Sequence, residues 1–391
     1  MNRTEPTSPP TTDPTPEWGQ SLATGAPGVA LLHIEAARTG ITGWDTVHQW
    51  ASAMTRSPVI ADPDASGLFH GAPAVAFALH TAQQPAYRSV LGKLDGHIAA
   101  GTRIRLDRAH QRIDHGRLPA LREFDLISGL TGVGAYLLQR EPGGELLLEI
   151  LAYLVRLATE PLSVDGMLVP GWWSGDSPSG RPAPAWPGGH GNLGIAHGIA
   201  GPLALLAVAA RRGVTVSGQD QAVEQICGIL DRLRSGTGTA VWWPETVSAA
   251  EWSRGAVHQA APGRPSWCYG TPGLARAQQL AALVSGDHDR QQLAEEALAG
   301  CLADDAQLAQ VPDASLCHGW AGLLHTVRRT AADAGTGLLA DQLPRLHARL
   351  DHHLNHHGTP APSGLLEGPA GAELARSGLS SHWDACLLLD G

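Results

Sequence analysis

Seven times along this chain a glycine leads into an apolar run, in six of them with a second glycine three residues on. That repeat limits the fold more than any other feature. The first glycines are Gly25, Gly71, Gly129, Gly198, Gly270, Gly319 and Gly368; only the second copy departs, with Ala74 in place of its second glycine. The fifth copy is the fullest, Trp267-Cys268-Tyr269-Gly270-Thr271-Pro272-Gly273-Leu274. The sixth echoes it as Leu316-Cys317-His318-Gly319-Trp320-Ala321-Gly322-Leu323. One Gly-x-x-Gly carries little weight. Seven in register, each opening an apolar segment, define a structural unit.

Between the motifs lie amphipathic patterns, at residues 146–157, 219–233, 291–302 and 339–354. Their apolar residues fall at helical spacing, and no alternating β-branched run competes. Each unit therefore predicts a helix pair, with an apolar helix inside after the glycines and an amphipathic one outside. Neither end carries a polar cap repeat, which favours closure over an open solenoid. The expectation is an all-α (α/α) toroid of seven helix pairs over residues 18–391. Residues 1–17, rich in Pro and Thr and without an apolar core, are expected to be a disordered tail.

Composition narrows the partners. A chain of 391 residues with 43% hydrophobic and 16% charged residues can bury a large core. Its net charge of −10, with no basic cluster, argues against a nucleic-acid surface. No apolar stretch is long enough to span a membrane. Five cysteines, an odd number without disulfide spacing, point to a reducing compartment and so to the cytoplasm.

In a closed ring the residues before each first glycine gather at one mouth. Repeats five and six bring Cys268, Cys317 and His318 there. Two thiols and an imidazole make a three-ligand zinc set with the fourth tetrahedral position open, the mark of a catalytic site with one Zn2+ per chain. Helix N-termini favour the thiolate form. Cys227, Cys301 and Cys386 lie outside the motifs and read as core residues. His197 shares His318's repeat position and is either a general acid–base or a partner for a loop carbonyl. His70, its equivalent in repeat two, reads as structural. Asp125, four residues before Gly129, either reaches the mouth or caps the helix. For Arg264 a solvated loop arginine is the plainer reading, with stabilisation of an oxyanion as the alternative. His347, His352, His353, His356 and His357 crowd one outer helix and read as a solvated face. The tryptophan-rich loops, including Trp242, Trp243 and Trp252, either wall a peptide groove or pack onto helix ends.

These residues carry a resemblance. From about Trp18 to Asp384 the chain resembles the lanthionine synthetase C-like (LanC) proteins, the cyclases of class I lanthipeptide biosynthesis. The motifs are Trp267-Cys268-Tyr269-Gly270-x-Pro-Gly, Cys317-His318-Gly319-x-Ala-Gly, Asn192-Leu193-Gly194-Ile195-Ala196-His197-Gly198-x-x-Gly, and Asp125 within Asp-Leu-Ile-x-Gly-Leu-x-Gly. The resemblance implies an α-toroid, with Cys268, Cys317 and His318 as zinc ligands. It implies His197 and Asp125 as the acid–base pair, and Arg264 and Tyr269 as further active-site residues. No stretch corresponds to the peptide-binding insertion of some family cyclases. The implied reaction is Michael addition of a peptide cysteine thiol to dehydroalanine or dehydrobutyrine, giving a lanthionine or methyllanthionine thioether. The implied partners are a dehydrated precursor peptide with its leader, a dehydratase and an exporter. Competing readings are addition of glutathione to dehydrated proteins, a toroidal prenyltransferase, and a non-catalytic peptide-binding toroid.

Overall fold

The computed structural model describes residues 8–15, 17–181, 183–357, 364–378 and 381–390. Of the expected tail, residues 1–7 and 16 lie outside the described residues. Within it, Asp13 pairs with Arg56 at 3.0 Å. No described helix is long and apolar enough to cross a membrane.

Every glycine motif opens a helix. The seven are Ala26–Arg38, Ala72–Ala82, Leu130–Arg140, Ala200–Arg211, Thr271–Ser285, Trp320–Asp333 and Pro369–Ser377. They are largely buried and form the inner ring, the fifth and sixth burying polar residues such as Arg276, Gln279 and His325 as well. In the fourth, every residue from Ala200 to Ala209 is buried. The outer helices are Trp44–Met54, Arg88–Asp114, Glu145–Thr159, Gln219–Leu233, His288–Ala303 and Leu343–His357. These bury one stripe each. Glu145–Thr159 buries Leu146, Leu147, Ile150, Leu151, Tyr153, Leu154, Leu157 and Ala158, the spacing of a single broad helical face.

Ring closure is visible in the backbone. Just ahead of the inner helices the seven motifs hydrogen-bond to one another in a circle. Leu22 N–H donates to Phe69, Phe69 to Ile127, Leu126 to Ala196, and Ile195 to Cys268. Cys268 then donates to Cys317 (3.2 Å), Cys317 to Leu366 (2.8 Å), and Leu366 back to Ala23 (2.9 Å). This belt passes through the residue two positions before each first glycine. It satisfies backbone groups that would otherwise be buried without partners.

The belt also explains the second glycines. Each inner helix starts so close to its own belt strand that a Cβ on Gly273 would stand 2.1 Å from the Trp267 carbonyl, and one on Gly322 2.0 Å from that of Leu316. Tight turning accounts for fewer of the first glycines than the sequence implies. Among these seven, only Gly71 (φ 73°) and Gly270 (φ 91°) lie in the left-handed region.

The seventh unit differs from the expected pair. After Pro369–Ser377 the described chain turns inward, as a 3₁₀ turn at Trp383–Leu387. Seven helices in a ring leave an axis to fill, and this segment fills it. Ser381 meets Glu35 of the first inner helix. Asp384 accepts from Arg329 of the sixth, and Leu389 O accepts from Arg276 of the fifth at 2.7 and 2.9 Å. Trp383 through Leu389 are buried.

Candidate metal centre and acid–base pair

Cys268 and Cys317 stand together because their backbones are neighbours in the belt. The ligand atoms of Cys268, Cys317 and His318 lie within 4.8 Å of one another, and among the described residues no other group of three His, Cys, Asp or Glu does so. A helix N-terminus follows each motif, with its partial positive charge nearby. The Cys268 thiol is held well below its ordinary value, first by hydrogen bonding from Cys317, then from His318 and Ser266, against its burial. The Ser266 hydroxyl stands 3.5 Å from the Cys268 sulfur. Asp313 raises His318 to about 9; its Oδ2 stands 3.5 Å from His318 Nε2. The hydrogen bond to Cys268 and burial raise the Cys317 thiol in turn, so one thiolate is shared by the two sulfurs. Two sulfurs with one imidazole are a donor set that suits zinc, and three ligands leave one position for a substrate.

His197 reaches the mouth from repeat four, 40% exposed, with Nδ1 2.7 Å from Asp125 Oδ2. The other Asp125 oxygen accepts the Ser128 and Gly129 backbone N–H groups, each at 2.7 Å. Asp125 thus closes the loop just ahead of its own inner helix, not the helix's first turn, and reaches His197 at once. Burial pulls the His197 pKa down, but the Asp125 hydrogen bond and charge outweigh it and raise the value. The Tyr269 hydroxyl accepts from Asn192 Nδ2 at 2.9 Å, and burial pushes its phenol up to about 12. Arg264 is half-buried, with Nε out of solvent and without a hydrogen-bond partner. Its charge is felt at Cys317 and His318.

Two short antiparallel strands, β1 (His190–Asn192) and β2 (Thr246–Ser248), brace this side and pair Asn192 with Thr246. Most of the loop tryptophans pack: Trp172, Trp173, Trp242 and Trp243 are buried. Burial pushes Cys227 up to about 11 and Cys301 to about 12, and raises Cys386 well above the ordinary thiol. All three are core residues. On the outer helix the exposed His352 and His356 stack at 4.1 Å, and His347 pairs with Asp351. The His357 side chain lies outside the described residues.

Sequence reasoning passed over Ser266, Asp313 and Glu245, and gave Asn192 no role beyond its place in a motif. A signal existed for the first. Four residues before the first glycine stand Ser21, Asp125, Ser266 and Ser315, each accepting a backbone N–H that closes its loop, or else Gly67, Gly194 and Gly364.

Comparison with known proteins gives one family. Residues 16–381 match the family described as Lanthionine synthetase C-like protein. The Nisin biosynthesis protein NisC of Lactococcus lactis subsp. lactis is 23% identical over 389 residues, covering 94% of this chain and 88% of that protein. The solved structure of Nisin cyclase superposes with a TM-score of 0.80 at 20% identity, covering 96% of this chain and 93% of that one.

Proposed function

Because the chain belongs to the lanthionine synthetase C-like family, we propose that it is a zinc-dependent lanthipeptide cyclase. Its reaction adds a peptide cysteine thiol across the double bond of a dehydroalanine or dehydrobutyrine in the same peptide. One S–C bond forms at the β-carbon and one C–H bond at the α-carbon. The thiol proton balances the second, so no oxidant or co-reactant is required. The observation that carries this reading is the Cys268–Cys317–His318 cluster opening onto the mouth that also holds the His197–Asp125 pair.

Cys268, Cys317 and His318 would hold the zinc, which lowers the pKa of a bound thiol and keeps its sulfur nucleophilic. His197, with Nδ1 fixed by Asp125, has Nε2 left for the substrate. Its raised pKa favours the imidazolium, which suits delivery of a proton to the α-carbon. The Arg264 guanidinium, which makes no hydrogen bond or ion pair with a described residue, suits the oxygen on which enolate charge develops, through its terminal nitrogens. Tyr269, its oxygen accepting from Asn192, keeps its own O–H to donate to the peptide. The substrate is a leader-bearing precursor supplied by a dehydratase and passed on to an exporter, and the work is cytoplasmic.

The test is incubation of the zinc-loaded protein with a dehydrated Cys-containing peptide, against a control without enzyme. Free thiols are counted by alkylation and mass spectrometry. Loss of alkylatable thiol at unchanged peptide mass is expected. A mass gain in the presence of glutathione, without ring formation, would point to intermolecular thiol addition instead. No enzyme-dependent loss of thiol would end the proposal.

A further inference from the structure

The mouth holds two half-buried opposite charges that the protein leaves unpaired. Arg264 Nε is buried without an acceptor. The Glu245 carboxylate receives no hydrogen bond from any described residue, and the two do not form an ion pair. Yet they share one electrostatic neighbourhood. Burial raises the Glu245 carboxyl, Arg264 draws it back down, and Cys268 raises it. Glu245 is also felt at Tyr269.

The backbone sets this arrangement. Glu245 O accepts the Leu193 N–H at 3.0 Å, and Thr246 begins β2 opposite Asn192, so Glu245 is tied to the loop that delivers His197. A Cβ on Gly263 would stand 2.8 Å from Glu245 Oε1. The carboxylate is therefore seated against the chain one residue before Arg264, in room that a glycine leaves. The Arg264 side chain meanwhile exerts its charge on Cys317 and His318. Two unlike charges at one half-buried mouth would pair if they were free to do so. Here they form no ion pair, and both stand beside the sulfur cluster.

A carboxylate only accepts hydrogen bonds, and a guanidinium only donates them. A trans peptide unit offers one N–H and one C=O pointing in opposite directions. We infer that Glu245 is a substrate-binding residue, accepting a backbone N–H of the same peptide unit whose carbonyl Arg264 receives. The two residues thereby select which peptide unit lies beside the Cys268–Cys317–His318 cluster. That unit is the one carrying the dehydroalanine carbonyl, the oxygen on which charge develops. The inference rests on the cyclase reading for the identity of the peptide.

The experiment measures binding, separately from turnover. The probe is a short synthetic peptide with one dehydroalanine and with serine in place of cysteine, so that it cannot react. A second probe carries an N-methyl group on the amide that follows the dehydroalanine carbonyl. Affinities are measured by calorimetry on the zinc-loaded wild type, Glu245→Gln and Glu245→Ala, with zinc content and circular dichroism as controls. Glu245→Ala should weaken binding of the first probe about tenfold or more, as for a lost hydrogen bond to a charged group. N-methylation should weaken the wild type similarly and cost Glu245→Ala nothing further. Glu245→Gln, which keeps an acceptor, should fall between, and it carries the comparison if the alanine variant does not fold. Equal losses on N-methylation in wild type and variant would overturn the inference, as would a wild type that binds neither probe. A wild type that binds the first probe, yet never closes a ring with its cysteine counterpart, refutes the cyclase reading and leaves the Glu245 contact measured.

Discussion

His197 Nδ1 lies 2.7 Å from Asp125 Oδ2, a contact that joins repeats three and four across the mouth of the ring. It is short because both residues are held by the belt, where the Leu126 N–H donates to the Ala196 carbonyl at 3.1 Å. The same backbone circuit that closes the fold therefore sets the acid–base geometry. The Asp125 side chain is fixed from its other oxygen as well, by two backbone donors.

Replacing Asp125 by Asn should disable His197 while leaving the loop before Gly129 closed. The amide oxygen can still accept from Ser128 and Gly129, which turns the NH₂ group toward His197 Nδ1. Nδ1 must then accept, and the proton moves to Nε2. Asp125 raises the His197 pKa, so its loss lowers that value. A general acid loses its proton as pH rises through its pKa, so the falling alkaline limb of the rate profile should move to lower pH. At neutral pH the rate should drop by roughly 10²-fold or more. A pH–rate profile and a His197 ring titration by NMR check this; an unmoved limb would refute it.

The repeat in the sequence already contained the ring, because each glycine motif is a packing requirement written in residue types. A second glycine is demanded where a helix start rests on a belt carbonyl, and that demand recurs at every unit except Ala74. The inner and outer rings were legible from how far round each helix its apolar residues extend. Cys268, Cys317 and His318 were legible because they share a repeat position. The filling of the axis by residues 381–390 was not, since Trp-Asp-Ala-Cys-Leu-Leu-Leu carries no helical period and its partners are far away in sequence. Trp267 Nε1, for instance, donates to the Leu387 carbonyl. Glu245 was equally hidden. Its importance depends on Gly263 passing beside it, and sequence spacing does not reveal that contact.

A pair of glycine replacements tests the belt. Gly371→Ala would place a Cβ 1.8 Å from the Leu365 carbonyl, so belt strand and helix must separate. A loss of about 2 kcal/mol or more is expected from such overpacking. Gly228→Ala, on the outer helix Gln219–Leu233, meets nothing within 4 Å and should stabilise by up to about 1 kcal/mol. Denaturant midpoints at unchanged slope would measure both. Equal effects would mean that the second glycines do not hold the belt.

The axial segment should make stability sensitive to acid. His325 donates from Nε2 to the buried Asp384 at 2.7 Å, while its Nδ1 is buried without a partner. Protonating Nδ1 would create a buried donor with nothing to meet, and burial accordingly lowers the His325 pKa from 6.5. The folded value lies below the unfolded one, so between them the unfolded chain binds more protons and stability rises with pH. The contribution is therefore present above pH 6.5 and is lost as pH falls toward the folded value. His325→Gln, which keeps a donor for Asp384, should be flatter than wild type through this window. Thermal midpoints from pH 7.5 down to about pH 5 would check it. Parallel slopes in the two proteins would assign the acid sensitivity elsewhere.

The sharpest prediction concerns the cluster itself. Cys268→Ala and Cys317→Ala should each lower zinc occupancy and abolish enzyme-dependent ring formation. Two remaining protein ligands are too few to hold zinc firmly while a substrate sulfur takes another position. Dehydrated peptides close rings slowly unaided, so product alone is a poor measure; the rate must be read against a control without enzyme. Added zinc should restore part of the activity, because loss of a ligand weakens affinity without removing the open position. Cys301→Ala is the matched control. Its thiol is buried away from the mouth and pushed up to about 12 by burial, so it should bind one zinc and turn over as wild type. His197→Ala separates the two halves of the site: it should keep zinc and lose rate, by about 10²–10⁴-fold. If Cys268→Ala retains one zinc per chain and full rate, the cluster is not the metal centre. Family membership would then account for the ring of helices and leave the chemistry to be found elsewhere at the mouth.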